Sequence, residues 1–349
     1  MKLKSLRPAD QYGLQRVIKP ADVLPQQADK LDPSLPIAED EILIEVECLN
    51  IDSASFKQIS VACGGDLAKI THHIEELVTS RGKQHNRVTG SGGMLIGRVA
   101  EVGPQFPVKE KPVSVGDRVA TLVSLSLTPL EIRKIKQILP EIDRVEMEGH
   151  AILFASGIFA VLPQDIPDKV ALAVLDVAGA PAQTRKIVQP GQTVVVVGGG
   201  GKSGLLCLYE AKQKKGVTTI AVEYSREAVA RLEKLSFVDH AVQADATKGI
   251  EVMNKISKLT RGKLADVVIN VANVPETEMA CILSCKNKGL VYFFSMATSF
   301  TRAALGAEGV GADVELMIGN GYTEGHAEVA LNLIRQSSEL REIFETTYA

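Results

Sequence analysis

The sequence predicts an α/β protein of two domains, a β-rich one followed by a doubly wound parallel sheet flanked by helices. Three observations predict it. At 349 residues the chain is too long for one ordinary hydrophobic core, so two domains are expected. Up to about residue 165 it reads mainly as strands and turns, whereas beyond Pro167 strands alternate with helical stretches, the mark of a parallel sheet with crossovers. In that second part an apolar strand runs directly into a glycine-rich turn and a helix. The predicted division is residues 1–170 and 171–337, with a tail, 338–349, returning to the first domain.

In the first domain, residues 41–47 alternate imperfectly between apolar and acidic side chains, as in a half-buried strand. Residues 65–81 carry Leu67, Ile70, Ile74, Leu77 and Val78 at helical spacing. Residues 94–102 predict a strand that ends at the Gly103-Pro104 turn. Residues 115–119 open another, with Gly116-Asp117 supplying the turn chemistry. A further helix is predicted over 129–138.

In the second domain, residues 168–177 and 180–188 read as helices that end before Pro190-Gly191. Strands follow at 193–197, 218–222, 241–242, 266–270 and 289–294, alternating with helices at 201–215, 226–235 and 250–259. Cys281 and Cys285 read as part of one helix packed in the core. Residues 314–318 read as an edge strand and 327–334 as a helix.

The sharpest local signal is Val194-Val195-Val196-Val197-Gly198-Gly199-Gly200-Gly201-Lys202-Ser203-Gly204, which contains GxGxxG on Gly199, Gly201 and Gly204. The first glycine permits a tight turn, the second lets backbone approach a pyrophosphate, and the third allows close helix–strand packing. The helix N-terminus then presents free N–H groups and its positive dipole end to phosphate. This is a Rossmann dinucleotide site, with Gly199, Gly200, Gly201, Lys202, Ser203 and Gly204 as its phosphate-binding residues. Glu223 ends the next strand, where a carboxylate holds the ribose hydroxyls. A P-loop around Gly201-Lys202-Ser203 would need glycine at position 196, which is valine. Glu223 repels a 2′-phosphate and so favours NAD. Ser225 and Arg226 follow at once and could grip that phosphate, so NADP stays open. Asp245 and Ala246 fall near the adenine. Asn270, Val271, Ala272, Ser295 and Met296 end later strands, where open α/β sheets bind their ligands.

Composition excludes several other classes. A net charge of −3 with scattered lysines and arginines argues against a nucleic-acid partner. The first twenty residues hold no apolar run for a signal peptide, and no window reaches membrane-spanning length. Five widely spaced cysteines make no disulfide framework, so a reducing cytoplasm is expected.

Several landmarks, in order, resemble the medium-chain dehydrogenase/reductase superfamily. They are the strand near 42–46, Gly97 with Val99, Val102 and Gly103, then Val115-Gly116-Asp117-Arg118-Val119, and Val188-Gln189-Pro190-Gly191-Gln192 leading into the glycine loop. The resemblance implies a GroES-like substrate domain ahead of the Rossmann domain and an active site in the cleft between them. Zinc-dependent members carry a cysteine in the loop after the first long strand and Gly-His-Glu before the second. Here Asn50-Ile51-Asp52-Ser53 and Gly92-Gly93-Met94 stand in those places, and the four-cysteine lobe is missing. Catalytic zinc needs about three protein ligands, so no metal is expected. His72, His73 and Glu76 on one helix read as solvated surface.

Longer strings narrow the resemblance. Residues 50–56 (NIDSASF), 88–97 (VTGSGGMLIG), 120–130 (ATLVSLSLTPL), 175–183 (LDVAGAPAQ) and 293–311 (FFSMATSFTRAALGAEGVG) are similar to the L-erythro-3,5-diaminohexanoate dehydrogenase family of bacterial lysine fermentation. That family implies NAD(P)-dependent oxidative deamination of a 3-amino group, giving 5-amino-3-oxohexanoate and ammonia.

Such chemistry needs a base to free the amine before hydride leaves. Asp52 is the first candidate for the amine-side carboxylate, with a turn or cap aspartate as its other reading. Ser53, Thr89 and Ser91 are candidate hydrogen-bond donors. Glu308 is a second candidate acid, equally readable as surface. Arg81, Lys83 and Arg144 are candidates for the substrate carboxylate. Asp176, in an apolar helix, needs either a partner or a function. The alternatives are a zinc-free NADPH-dependent quinone or enone reductase, which would want a more apolar cleft, and a non-catalytic dinucleotide sensor. The edge strand at 314–318 predicts a homodimer.

Overall fold

The computed structural model describes residues 9–87, 90–107 and 112–348; Thr89 lies outside them. The chain divides into two compact units, Met1–Gln164 and Asp165–Ala349, so the break comes before the expected 170/171. In the first unit a short antiparallel pair, β1 (Val17–Lys19) and β2 (Lys30–Leu31), precedes β3 (Ile42–Asn50). The helices α1 (Ser53–Ala62) and α2 (Leu67–Arg81) follow, then β4 (Met94–Val102), β5 (Arg118–Thr121), β6 (Leu130–Leu139), β7 (Arg144–Leu153) and β8 (Phe159–Val161). The last five strands and β3 form one antiparallel sheet in the order β6-β7-β3-β4-β5-β8. Ile42, Ile44 and Val46 of β3 point into a core that the apolar stripe Ile70, Ile74 and Val78 of α2 also enters.

The helix expected at 129–138 is a strand, β6. Its apolar residues Leu130, Ile132, Ile135 and Ile138 recur nearly every third position, which imitates a helix face. Two register shifts against β7, between Ile132 and Lys134 and between Ile135 and Gln137, each insert a residue. These bulges turn a two-residue period into a three-residue one. The helix α1 was not anticipated in the sequence; Asp52 caps it by accepting from the Ser55 N–H.

The second unit opens with α3 (Asp168–Leu175) and α4 (Gly179–Ile187). Next come β9 (Thr193–Val197), α5 (Lys202–Lys212), β10 (Thr218–Glu223), α6 (Arg226–Leu232), β11 (His240–Gln243), α7 (Gly249–Leu259) and β12 (Ala265–Asn270). The unit ends with α8 (Glu278–Ser284), β13 (Cys285–Phe293), α9 (Phe300–Gly309), β14 (Glu315–Ile318), α10 (His326–Gln336) and α11 (Ser338–Thr347). Its six strands are all parallel, ordered β11-β10-β9-β12-β13-β14. Numbered within the unit, that order is 3-2-1-4-5-6, so the topological switch point lies between β9 and β12. Val194 to Val197 are wholly buried, as a central parallel strand requires.

Two details depart from expectation. Cys281 is in α8, but Cys285 opens β13, so the two do not share a helix. The tail belongs to the second unit: it is α11, packed on α3, α5 and α10 through Leu340, Ile343 and Phe344. Ser337 is both the C-cap of α10 and the N-cap of α11, which leaves no linker with which to depart. Among the described residues no helix is long and apolar enough to cross a membrane.

Candidate functional site

The glycine loop stands at the carboxyl end of β9, beside the switch point. The positive φ that makes its turn belongs to Gly198 (86°), not to Gly199. The Gly198 and Gly199 N–H groups both donate to the Val222 carbonyl of β10, at 2.9 and 3.2 Å. A Cβ on Gly204 would lie 2.3 Å from the Gly198 carbonyl, so α5 can approach β9 only with glycine there. At Gly201 a Cβ would meet only the Gly198 carbonyl, at 3.8 Å. Gly201 is also the N-cap of α5 and offers no side chain to its first N–H groups. An open cradle at a bare helix N-terminus fits a pyrophosphate.

Around that cradle the predicted cofactor residues divide. Glu223 closes β10 with Oε2 accepting from the Gly200 N–H at 3.0 Å and Oε1 from Tyr224 N–H at 2.7 Å. Ser225 caps α6 and donates to Glu227 at 2.7 Å, while Arg226 is exposed. Asp245 accepts from the Thr247 hydroxyl and N–H, and that hydroxyl leads in holding its carboxyl below the usual range. Ala246 packs against the apolar core. Val271 and Ala272 are half-buried at the loop, a Gly198 Cβ being 2.8 Å from the Ala272 nitrogen. Asn270 is turned inward: wholly buried, it donates to Thr277 at 2.8 Å and accepts from Ala272 N–H. Its side chain is a structural tie and is withdrawn from the cofactor set. Ser295 accepts from Ala297 N–H and Met296 is 83% exposed, both just beyond β13. Lys202 sends its Nζ to Asp176, 2.7 Å away at the C-cap of α3. The half-buried Ser203 occupies the first turn of α5.

In the first unit a polar cluster gathers where β3 ends. Asn50 is in register with Met94 of β4 and Arg144 of β7, which brings three segments together. Gly93, at φ 85°, lets the start of β4 lie against Asn50, where a Cβ would be 2.0 Å from the carbonyl oxygen. Ser91 accepts from the Gly93 N–H at 3.4 Å in that segment. Arg144 donates through Nε to the Asn50 side chain at 3.4 Å. Asp52 spends Oδ1 on its cap, and its buried Oδ2 has no hydrogen-bond partner among the described residues. Ser53 donates through its hydroxyl to Oδ2 of Asp143 at 2.5 Å. Asp143 was missed because ninety positions separate it from Ser53 and no local pattern links them.

Three predicted site residues lie elsewhere. Lys83 is wholly buried and gives its ammonium to the carbonyls of Pro25, Gln26 and Ser126 at 2.8, 3.1 and 2.6 Å. Burial, with Arg81 nearby, pushes its pKa down to about 8. Arg81 donates to the carbonyls of Asp29 and His85 and leaves only 11% of its side chain exposed. Both cations tie loops together and are not placed to take a substrate carboxylate. Glu308 is exposed in the last turn of α9. A crossover helix runs back along the sheet, so its C-terminal turn faces the amino ends of the strands, opposite the glycine loop. Asp176 resolves differently: the charge has a partner, Lys202. His72 and Glu76 are exposed and 4.0 Å apart on α2, and no three metal-ligating side chains gather among the described residues.

Comparison with known proteins identifies the family. The N-terminal domain family of L-erythro-3,5-diaminohexanoate dehydrogenase matches residues 15–163. An L-erythro-3,5-diaminohexanoate dehydrogenase of Fusobacterium nucleatum is 53% identical over 97% of this chain and 98% of its own length. The enzyme of that name from Acetoanaerobium sticklandii is 51% identical over the same shares. An alcohol dehydrogenase structure from Thermotoga maritima superposes with a TM-score of 0.56, covering 88% of this chain and 86% of that one at 15% identity, a likeness of fold. Identity above one half along 97% of the chain places the protein: the chain belongs to the L-erythro-3,5-diaminohexanoate dehydrogenase family.

Proposed function

We propose that the protein oxidises the 3-amino group of L-erythro-3,5-diaminohexanoate with a nicotinamide dinucleotide, releasing 5-amino-3-oxohexanoate and ammonia during lysine fermentation in the cytoplasm. The observation that carries this reading is the identity of 53% and 51% along 97% of the chain with two enzymes of that name. The second unit takes the dinucleotide and the first unit the diamino acid.

The nicotinamide, when bound, accepts hydride from C3. The remaining work belongs to protein groups. The substrate ammonium must lose a proton before its carbon gives up hydride, and water must then add to the iminium carbon so that ammonia can leave. Overall the ammonium substrate, water and oxidised dinucleotide become the ketone, ammonium ion, reduced dinucleotide and one proton. Asp52, with one buried carboxylate oxygen unpartnered, is suited to hold an ammonium group. The Ser53 hydroxyl, backed by Asp143, is suited to pass a proton between substrate and carboxylate. Arg144 is the cation of the cluster and the partner for the substrate carboxylate, with Ser91 and Thr89 as further donors. Glu223 at the loop favours NAD over NADP by charge. The edge position of β14 supports pairing into a homodimer, which a light-scattering mass of one chain would refute.

Absorbance at 340 nm tests the function. Purified protein is mixed with 3,5-diaminohexanoate and either NAD or NADP, with and without chelator, and ammonia is assayed in parallel. Reduction matched by ammonia release is the expected result, stronger with NAD and unchanged by chelator. No reduction with either dinucleotide would overturn the substrate assignment.

A further inference from the structure

Gly200, in the middle of the dinucleotide loop, is held through both of its flanking peptide groups. Its N–H donates to Glu223 Oε2 at 3.0 Å. Its carbonyl accepts from Arg231 Nη2 at 2.7 Å, delivered from the last turn of α6. It also accepts from the Tyr348 hydroxyl at 3.1 Å, delivered from the C-cap of α11. Burial pushes the Tyr348 phenol up, so it remains a protonated donor. The Tyr348 ring lies against Phe344, whose side chain is wholly buried, with centroids 5.2 Å apart, which anchors the hydroxyl to the core. Arg231 Nε is buried with no hydrogen-bond partner among the described residues.

We infer that Arg231 and Tyr348 are positioning residues for the dinucleotide: together they clamp the Gly200 carbonyl so that its N–H and the Glu223 carboxylate stay in register for the adenosine ribose. The inference rests on the dinucleotide reading given above and adds two residues that act through Gly200. Gly200 leaves little slack, because a Cβ on it would be 2.9 Å from Glu223 Oε2 and 3.0 Å from the Ala228 Cβ. A shift of the Gly200 backbone therefore displaces the carboxylate. Without the two donors on its carbonyl the Gly200 backbone can shift, and the ribose site becomes one of several loop conformations, which weakens binding in proportion to the competent fraction.

The test is titration of the full-length protein with NADH and NADPH, followed by calorimetry, beside steady-state kinetics and thermal unfolding. Tyr348→Phe keeps the ring on Phe344 and removes only the hydroxyl. Arg231→Lys keeps a cation but shortens the reach and loses the fork. Each variant is expected to raise the Kd for the preferred dinucleotide about three- to tenfold, in keeping with the loss of one hydrogen bond. KM for the dinucleotide should rise in step, while kcat at saturating dinucleotide and the melting temperature of the free protein stay put. A merely structural role would lower the melting temperature and leave Kd alone; that outcome, or an unchanged Kd, overturns the clamp. If the unaltered protein binds neither dinucleotide, the reading beneath the clamp fails, and that result is distinct from failure of the variants alone.

Discussion

The Ser53 hydroxyl and the Asp143 carboxylate meet at 2.5 Å, joining the first residue of α1 to the turn before β7. Asp143 holds a left-handed backbone conformation, φ 52°, tolerated better by aspartate than by most residues, with its own carbonyl accepting from Ile51 N–H at 3.0 Å. The turn is thus fixed to the loop that carries Asp52. If this pair moves a proton for the deamination, Ser53→Ala and Asp143→Asn should each cut kcat by about tenfold to a hundredfold. The double variant should cost little more than either single one, because one relay is broken only once. Additive losses in the pre-steady-state hydride step would show that the two residues act separately.

The glycine loop separates ligand space from packing space. Gly201→Ala places its methyl where the protein has only one atom within 4 Å, at 3.8 Å, so the fold should tolerate it. The methyl would stand where a pyrophosphate must approach, and the Kd for NADH should rise at least tenfold with the melting temperature unchanged. Gly204→Ala differs, because its methyl would come 2.3 Å from the Gly198 carbonyl and 2.6 Å from the Gly199 Cα. Backbone must move, so this variant should lose both stability and binding. Equal behaviour of the two variants in a melt and a titration would sink the assignment of Gly201 to the phosphate.

Lys83 acts as a three-way tie. Its partners include the carbonyls of the buried residues Pro25 and Ser126, so the segment before β2 is fastened to the loop before β6. Lys83→Met keeps much of the apolar stem and leaves those carbonyls without a donor. The expected loss is roughly 3 kcal/mol, from unsatisfied buried acceptors and lost charge-assisted bonds. Urea unfolding measures it. KM for the diamino acid should be unaffected, and a large rise in KM at unchanged stability would restore Lys83 to the substrate site.

The parts legible in the sequence were those governed by local pattern. The buried valine strand, the glycines after it and the acid closing β10 are all written within thirty residues, and the parallel order follows from the rhythm of strands and helices. The illegible parts depend on partners far away in the chain. The apolar spacing of β6 is helical on paper and becomes a strand only because β7 accepts two bulges. Lys83 and Arg81 look like free cations until the loops that bury them are in place. Asp143 and Tyr348 have no sequence signal, since each acquires its role from a residue 90 or 148 positions away.

His85 makes stability depend on pH on the acid side. It follows α2 with Nδ1 buried and no hydrogen-bond partner among the described residues. Burial first, then the cations Lys83, Arg81 and Arg87, push its pKa down to about 4, with Asp29 opposing them weakly. An unfolded histidine titrates at about 6.5. Between those values the unfolded chain binds a proton that the folded chain refuses, so acidification favours unfolding. The contribution is fully present above pH 6.5 and is lost as pH falls towards 4. His85→Gln removes the titration, so its urea midpoint should fall less steeply than that of the unaltered protein across this window. Carboxylates that titrate lower in the range affect both proteins alike and cancel in the difference. Parallel midpoint curves from pH 7 to 4 would mean that the folded protein accepts the proton at His85 as readily as the unfolded chain does.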